Sequence, residues 1–464
     1  MTTLAHAVTA IGGIPSLAFG ESPKADFSDT PVWLSVVKGV FILVYLLLST
    51  LLVIWFERKV IGRMQLRPGP NRAGPFGLFQ SLGDGLKLLL KEDPVPANVD
   101  KPVYKLAAII AGTLCFVSFS IMPMGGSVWM FGHHTPLQLT DTPVAVLLAL
   151  AVGGVGIYGI VLAGWSSGST YPLLGAVRSS AQMISYEIAM GLSLVAVFLY
   201  SGSMSTSQIV ASQHSLWNAI PLVVSFAIYL VTMVGETNRL PFDLAEGEGE
   251  LTGGFHTEYA SMTFAMFFLG EYINMFGVSA LATTMFLGGP AAPPVISLIP
   301  FVNGGWWGLL WFTLKLWFFI WFFVWLRGAL PRVRYDQFMR FGWKTLIPTA
   351  LVWLVFLTFI RGANNGWLGT GAIHVGRLTF YWSTIIIIVI AAALALVVAS
   401  VWDARAQRAE AAAAEPPPEE VDPYAGGFPV PPLPGQRLRE PSLTASGLPE
   451  APARVVPSEE VHHG

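Results

Sequence analysis

The sequence predicts an all-α integral membrane protein, a bundle of about nine transmembrane helices with a short amphipathic cytoplasmic helix. Three observations carry this. Hydrophobic residues fill 53% of the 464 positions and charged residues only 12%, about half the roughly 25% of a soluble domain. Mean hydropathy is +0.60. Apolar runs of about 20 residues, the length that crosses a hydrocarbon layer, recur along the chain.

Spans are expected near residues 32–56, 104–124, 143–164, 181–201, 216–234, 257–285, 305–328, 345–361 and 380–402. The sixth is long, which predicts a tilted or bent helix. Residues 1–31 form an N-terminal extracytoplasmic segment, without the basic start and apolar core of a cleaved signal. The transmembrane domain covers 32–402. Between the first two spans, Arg67-Pro-Gly-Pro-Asn-Arg-Ala-Gly-Pro75 is turn material. It leads into Phe76–Glu92, where Phe79, Leu82, Leu86 and Leu89 recur at helical spacing and Asp84, Lys87 and Lys91 fall elsewhere on the wheel. That is the amphipathic helix, expected at the membrane interface or packed on the bundle. From Asp403 the composition turns to Ala and Pro, with Glu415-Pro-Pro-Pro-Glu-Glu and Phe428-Pro-Val-Pro-Pro-Leu-Pro, so 403–464 is expected to be a disordered cytoplasmic tail.

Orientation follows from Lys and Arg, which concentrate in cytoplasmic loops. The loop after the first span carries Arg58, Lys59, Arg63, Arg67, Arg72, Lys87, Lys91 and Lys101, and that after the seventh Arg327, Arg332, Arg334, Arg340 and Lys344. Loops 125–142, 202–215 and 286–304 have neither residue; Arg377 in 362–379 breaks the pattern. The N-terminus is therefore expected outside and the C-terminus in the cytoplasm.

Cysteine usage narrows the chemistry. Cys115 is the sole cysteine, so this chain alone builds neither a disulfide nor a cysteine-ligated iron–sulfur or zinc site. None of its eight histidines sits in the middle of an apolar run, as haem-ligating pairs inside a membrane would. Redox chemistry here needs electrons delivered by a partner, and no metal site is expected.

Acids inside apolar spans are the residues to explain, because a charge at the bilayer centre costs roughly 2.5–3.5 kcal/mol. Glu187 lies in the fourth span, Glu258 and Glu271 in the sixth; Glu57 closes the first and Glu236 the fifth, and Lys315 lies inside the seventh. Interfacial snorkelling accounts equally for Glu57, Glu236 or Glu258 taken alone, and a structural ion pair for Glu187 or Glu271. As a set they form a chain of groups able to hold and pass protons, which buried amides do not. The loop from Glu236 to Glu258 is the densest stretch, with Glu236, Asp243, Glu246, Glu248, Glu250 and Glu258 against the single Arg239. It lacks the spacing of an EF-hand, and Gly247, Gly249, Gly253 and Gly254 predict a tightly folded loop rather than a merely solvated one. The aromatic run from Trp306 to Trp325 covers every face of a helix, and lipid exposure is its expected explanation.

Glu236-Thr-Asn-Arg-Leu-Pro-Phe-Asp-Leu-Ala-Glu-Gly-Glu-Gly-Glu-Leu251 resembles the signature of a family of complex I membrane-arm proteins, the H subunit of the bacterial enzyme and its mitochondrial counterpart, the first subunit of NADH dehydrogenase. Further blocks agree, in order across residues 32–402: Glu57-Arg-Lys-Val-Ile-Gly-Arg-Met-Gln-Leu-Arg-Pro-Gly-Pro-Asn71, Asp84-Gly-Leu-Lys-Leu88, Gln182-Met-Ile-Ser-Tyr-Glu187, Glu258-Tyr-Ala260, Phe267-Phe-Leu-Gly-Glu-Tyr272 and Arg327-Gly-Ala-Leu-Pro-Arg-Val-Arg-Tyr-Asp-Gln337. The first 30 residues and the tail after 403 lie outside the resemblance.

The resemblance implies a subunit of a proton-pumping NADH:quinone oxidoreductase in the bacterial plasma membrane. Such a subunit walls the quinone chamber (ubiquinone or menaquinone) and couples quinone reduction to a proton path. FMN and iron–sulfur clusters belong to partner subunits, and the partners are the peripheral-arm quinone-site subunits and neighbouring membrane-arm subunits. Carried over by motif, the path residues are Glu57, Asp84, Glu187, Glu236, Glu246, Glu248, Glu258 and Glu271. The chamber or entrance residues are Arg58, Asp243, Phe267, Phe268, Arg332 and Arg334. The rival readings are the related anchor subunit of a membrane-bound hydrogenase or formate hydrogenlyase, and a stand-alone cation transporter. A transporter is expected to show internal repeats or broken helices, which this sequence lacks.

Overall fold

The structure, a computed structural model, describes residues 25–213, 216–242, 253–293 and 305–364, with short strands at 372–375, 378–381, 420–421 and 437–438. The chain divides into a unit Met1–Thr384 and a unit Ile385–Gly464, and the helical bundle belongs to the first. Residues 382–402 of the ninth expected span and, apart from the strands at 420–421 and 437–438, the expected disordered tail lie outside the described residues.

The protein is an all-α membrane bundle. Its helices are α1 (Val32–Met64), α2 (Gln80–Leu90), α3 (Lys101–Phe119), α4 (Ala145–Ser166), α5 (Thr170–Ser201), α6 (Thr206–Ser212), α7 (Val223–Glu236), α8 (Ser261–Phe286), α9 (Trp307–Ala329), α10 (Tyr335–Phe341) and α11 (Ile347–Asn364). Among the described residues seven helical runs are long and apolar enough to cross a membrane, with Tyr335–Gly362 the last of them, and α7 is a shorter apolar helix. α7 begins seven residues later than expected, after Pro221, whose ring disfavours the helical region for the residue before it. α5 begins eleven residues earlier than expected; Pro172 sits in its first turn, where a missing N–H costs nothing. α5 ends at Gly202 in the left-handed conformation (φ +76). Ser205 caps α6 by accepting from the Gln208 N–H.

One stripe of α1 faces the core: Leu34, Lys38, Ile42, Leu46, Val53 and Glu57 are buried at helical spacing. Leu46, Phe276, Phe286, Phe312 and Phe319 form the heart of the main apolar cluster. Small residues let helices approach closely: a Cβ on Gly270 of α8 would lie 2.6 Å from the carbonyl oxygen of Ala111 on α3. The aromatic run of α9 corrects the lipid-facing expectation in part. Trp321 and Trp325 are exposed, whereas Phe312, Phe319 and Phe323 are buried against the bundle.

The Lys/Arg-free loop after α3 folds into an antiparallel hairpin of β1 (Ser127–Met130) and β2 (His133–Pro136), with Met130 paired to His133. Phe131 (φ +52) and Gly132 (φ +86) make its two-residue turn, the positive-φ pair that matches strand twist. Asp29 accepts from His133 Nδ1 at 2.9 Å and from the His134 N–H at 2.9 Å. The His133 hydrogen bond is the main reason its carboxyl is held below the usual carboxylate range.

Candidate functional site

The buried acids converge through side chains that are far apart in sequence. Glu57 follows Val53 by one helical turn on the core face of α1, so the helix aims it inward. It is 7% exposed. Its Oε2 accepts from the Tyr272 hydroxyl at 2.8 Å, and its Oε1 accepts from the Arg327 guanidinium. Helices α1, α8 and α9 are thus tied at one carboxylate, and the snorkelling account of Glu57 gives way to a buried ion pair.

Tyr272 is the hub of this arrangement. Its ring carries the Arg239 guanidinium at 4.0 Å from the centroid, a cation–π geometry. Arg239 Nε lies 2.9 Å from Glu271 Oε1, with Arg239 10% and Glu271 33% exposed. Glu57, Tyr272, Arg239 and Glu271 therefore form one continuous polar chain. Tyr272 and Arg239 had no assigned role in the sequence. The available signals were the position of Tyr272 next to Glu271, and Arg239 being the sole cation among six acids.

This chain borders a cavity of about 260 Å³. Glu236, Arg239, Glu271 and Arg327 supply its charged wall, Phe267 and Phe268 its aromatic wall, and α3, α4 and α8 its apolar depth. Glu236 closes α7, is 7% exposed, and its Oε2 has no hydrogen-bond partner among the described residues. A buried acceptor left in this way is set to receive a donor from whatever fills the space. Two neighbouring glycines of α4 make room for the acids: a Cβ on Gly153 would lie 3.7 Å from Glu236 Oε1, and one on Gly154 3.3 Å from Glu187 Oε1. Glu187 thus reaches the same turn of α4 from α5.

The backbone around Glu236 is held by Gln182, which is fully buried on α5. Its Nε2 donates to Gly235 O at 2.8 Å and to Phe242 O at 3.0 Å, clamping both sides of the turn that carries Glu236 and Arg239. The Val333 N–H donates to Pro241 O at 3.0 Å, adding the chain after α9. On the far side of the acidic loop, Gly175 of α5 approaches Gly254 so closely that a Cβ would lie 2.8 Å from its Cα. Both flanks of the loop are therefore seated on α5.

Other expected residues sit elsewhere. Asp84 pairs with Arg58 at 2.7 Å, at 38% and 49% side-chain exposure, and accepts from Gln80 at 3.2 Å. Neither lines the cavity. Glu258 is half-buried in the turn before α8, where its backbone carbonyl accepts from the Tyr104 hydroxyl at 2.9 Å. Arg332 and Arg334 are exposed after α9. Asp243, Glu246, Glu248 and Glu250 lie outside the described residues. Lys315 does not join the acids: its Nζ donates to the carbonyls of Leu287, Gly289 and Ala291 at 2.5, 2.9 and 2.6 Å. It thereby caps the C-terminal end of α8, where the helix dipole favours a cation. Among the described residues no group of His, Cys, Asp or Glu is arranged to hold a metal ion.

Comparison with known proteins places these residues in a wider set. The family model described as NADH dehydrogenase matches residues 37–358. The chain is 52% identical over 446 residues to the H subunit of NADH-quinone oxidoreductase from Streptomyces avermitilis, covering 91% of this chain and 94% of that protein.

Proposed function

The chain belongs to the NADH dehydrogenase family, and on that basis we propose that it walls the quinone chamber of a proton-translocating NADH:quinone oxidoreductase. The observation that carries the reading is the cavity in which Glu236, Glu271 and Arg239 face Phe267 and Phe268. An aromatic wall suits an apolar quinone or its tail, and the acids beside it suit the protons that reduction consumes. Electrons come from FMN and iron–sulfur clusters in partner subunits, and the quinone takes up two electrons and two protons to become the quinol.

The roles divide by partner. Glu271 is ion-paired to Arg239, so a proton taken up there competes with that pairing. Glu236, with one oxygen unpartnered among the described residues, is the acid best placed to hold a proton from the cavity. Glu57 is linked to Glu271 through Tyr272 and Arg239. Glu187, beside Gly154, continues the path into the bundle. Glu246, Glu248, Glu258 and Asp84 remain expected contributors on the cytoplasmic side, with Arg58, Asp243, Arg332 and Arg334 near the chamber or its entrance.

The test is isolation in mild detergent. The chain should co-purify with an NADH-oxidising module and neighbouring membrane subunits, and the assembly should reduce quinone with NADH. A chain that purifies alone and moves cations in liposomes overturns the reading. Orientation has its own test, motivated by the Lys/Arg asymmetry of the loops: Met130→Cys and Arg332→Cys should be labelled by an impermeant thiol reagent from opposite faces of the membrane, with residue 332 on the cytoplasmic face. Labelling of both from one face would sink the topology.

A further inference from the structure

We propose that Ser261 is a positioning residue: it ties the C-terminal end of α2 to the first turn of α8 and so sets the aromatic wall of the cavity. This rests on the quinone reading above and adds a residue to it.

Ser261 opens α8 with φ +51, in the left-handed region, directly after extended Ala260 (φ −136, ψ 169). A non-glycine residue rarely adopts that conformation unless the surroundings impose it. The surroundings here are the end of α2. The Ser261 hydroxyl, on a residue 3% exposed, lies 2.6 Å from Lys91 O and 3.2 Å from Leu88 O, and donates its one proton there. Leu88 O is among the last four carbonyls of α2, which have no partner within the helix.

Residues on either side of Ser261 meet the chain that follows α2. Thr263 Oγ1 lies 3.0 Å from Asp93 Oδ1 and 2.8 Å from Ala260 O and donates its one proton there. The Tyr104 hydroxyl donates to Glu258 O at 2.9 Å, and the Tyr104 and Tyr259 rings stack at 4.0 Å with a 1° interplanar angle. From this anchor α8 runs directly into the cavity wall. Phe264, Phe267 and Phe268 follow Ser261 by three, six and seven residues, on one helix face, and all line the cavity. The other face of α2 is apolar and open: Leu82, Leu86 and Leu89 are 45%, 52% and 60% exposed. No residue of α2 lines the cavity, so α2 acts on it through α8, whose first turn Ser261 holds. A quinone whose tail lies against Phe264, Phe267 and Phe268 feels the position of that turn, whereas a tail-less quinone does not.

The experiment uses assembled complex in membranes carrying Ser261→Ala, Ser261→Gly or Ser261→Asn. Alanine loses the hydroxyl and keeps the backbone penalty; glycine loses both; asparagine keeps a donor and tolerates the left-handed region. Loss of one net hydrogen bond corresponds to about a three- to tenfold change. The KM for decyl-benzoquinone should rise by about that factor in both the Ala and Gly variants. Turnover at saturation and the KM for a tail-less quinone should stay near wild type, and Asn should restore the decyl-benzoquinone KM. Hydrogen exchange of the last α2 amides should be faster in Ala and Gly and normal in Asn. Gly at wild-type KM with Ala impaired would reduce Ser261 to a backbone effect, and all three at wild type would remove the clamp. If the wild-type complex does not reduce quinone, the functional reading fails. The exchange measurement then decides the clamp by itself.

Discussion

Glu271→Gln should lower NADH:quinone turnover by roughly tenfold or more and abolish the proton translocation coupled to it. NADH oxidation by a hydrophilic acceptor, which takes electrons upstream of this chain, should be unchanged. Gln keeps the shape and can still accept from Arg239, but it does not carry a proton. The substitution has a second effect that needs separating. Arg239 is 10% exposed, and stripping a buried cation of its anion costs up to about 3 kcal/mol for a pair as partly open as this one. The double variant Glu271→Gln with Arg239→Gln removes both charges. If the single variant fails only because Arg239 is left uncompensated, the double variant recovers assembly and turnover. If Glu271 carries protons, assembly recovers and turnover does not. Glu187→Gln should behave as Glu271→Gln without needing the companion substitution. Wild-type pumping in assembled Glu187→Gln or Glu271→Gln enzyme removes that residue from the path and leaves it a structural role.

Gln182→Leu should destabilise the subunit by about 2–4 kcal/mol, since a buried and a part-buried carbonyl oxygen lose their donor at once. Those carbonyls are Gly235 O and Phe242 O, which flank Glu236 and Arg239. The expected result is less assembled complex and a lower melting temperature in detergent. Whatever assembles should also lose quinone activity, because Glu236 and Arg239 are no longer held against the cavity. Gln182→Met, equally unable to donate, should match Leu, whereas Gln182→Glu keeps the shape and donates only when protonated. Its stability should therefore fall between wild type and the Leu variant at acidic pH and worsen as pH rises. A Leu variant with wild-type melting would mean that water or the backbone itself satisfies the two carbonyls.

The acids themselves were legible in the chain, but their standing was not. Glu57 and Glu236 read equally well as interfacial side chains reaching for water, and both are buried. The signal for Glu57 was present in its register: it falls one turn after Val53 on the stripe that begins at Leu34. No register could supply its partners, since Tyr272 lies 215 positions away and Arg327 270 positions away. Asp84 and Arg58 show the opposite outcome. Their motifs place them with the path and chamber residues, whereas packing pairs them with each other at the half-exposed surface of α1 and α2.

Composition and motif were enough for the class of molecule and most of its crossings. A chain in lipid must satisfy its own backbone, so a spanning segment has to be a long apolar helix, and that requirement is local and written into composition. They were enough for the family as well, because the acidic-loop signature and six further blocks resembling the family's fall in order across most of the chain. Folding in three dimensions was needed to decide which acid meets which cation, where the cavity lies, and that Gln182 and Ser261 act as clamps. A hydrogen bond or ion pair depends on angstrom-scale distances between segments whose separation along the chain carries no information about their separation in space.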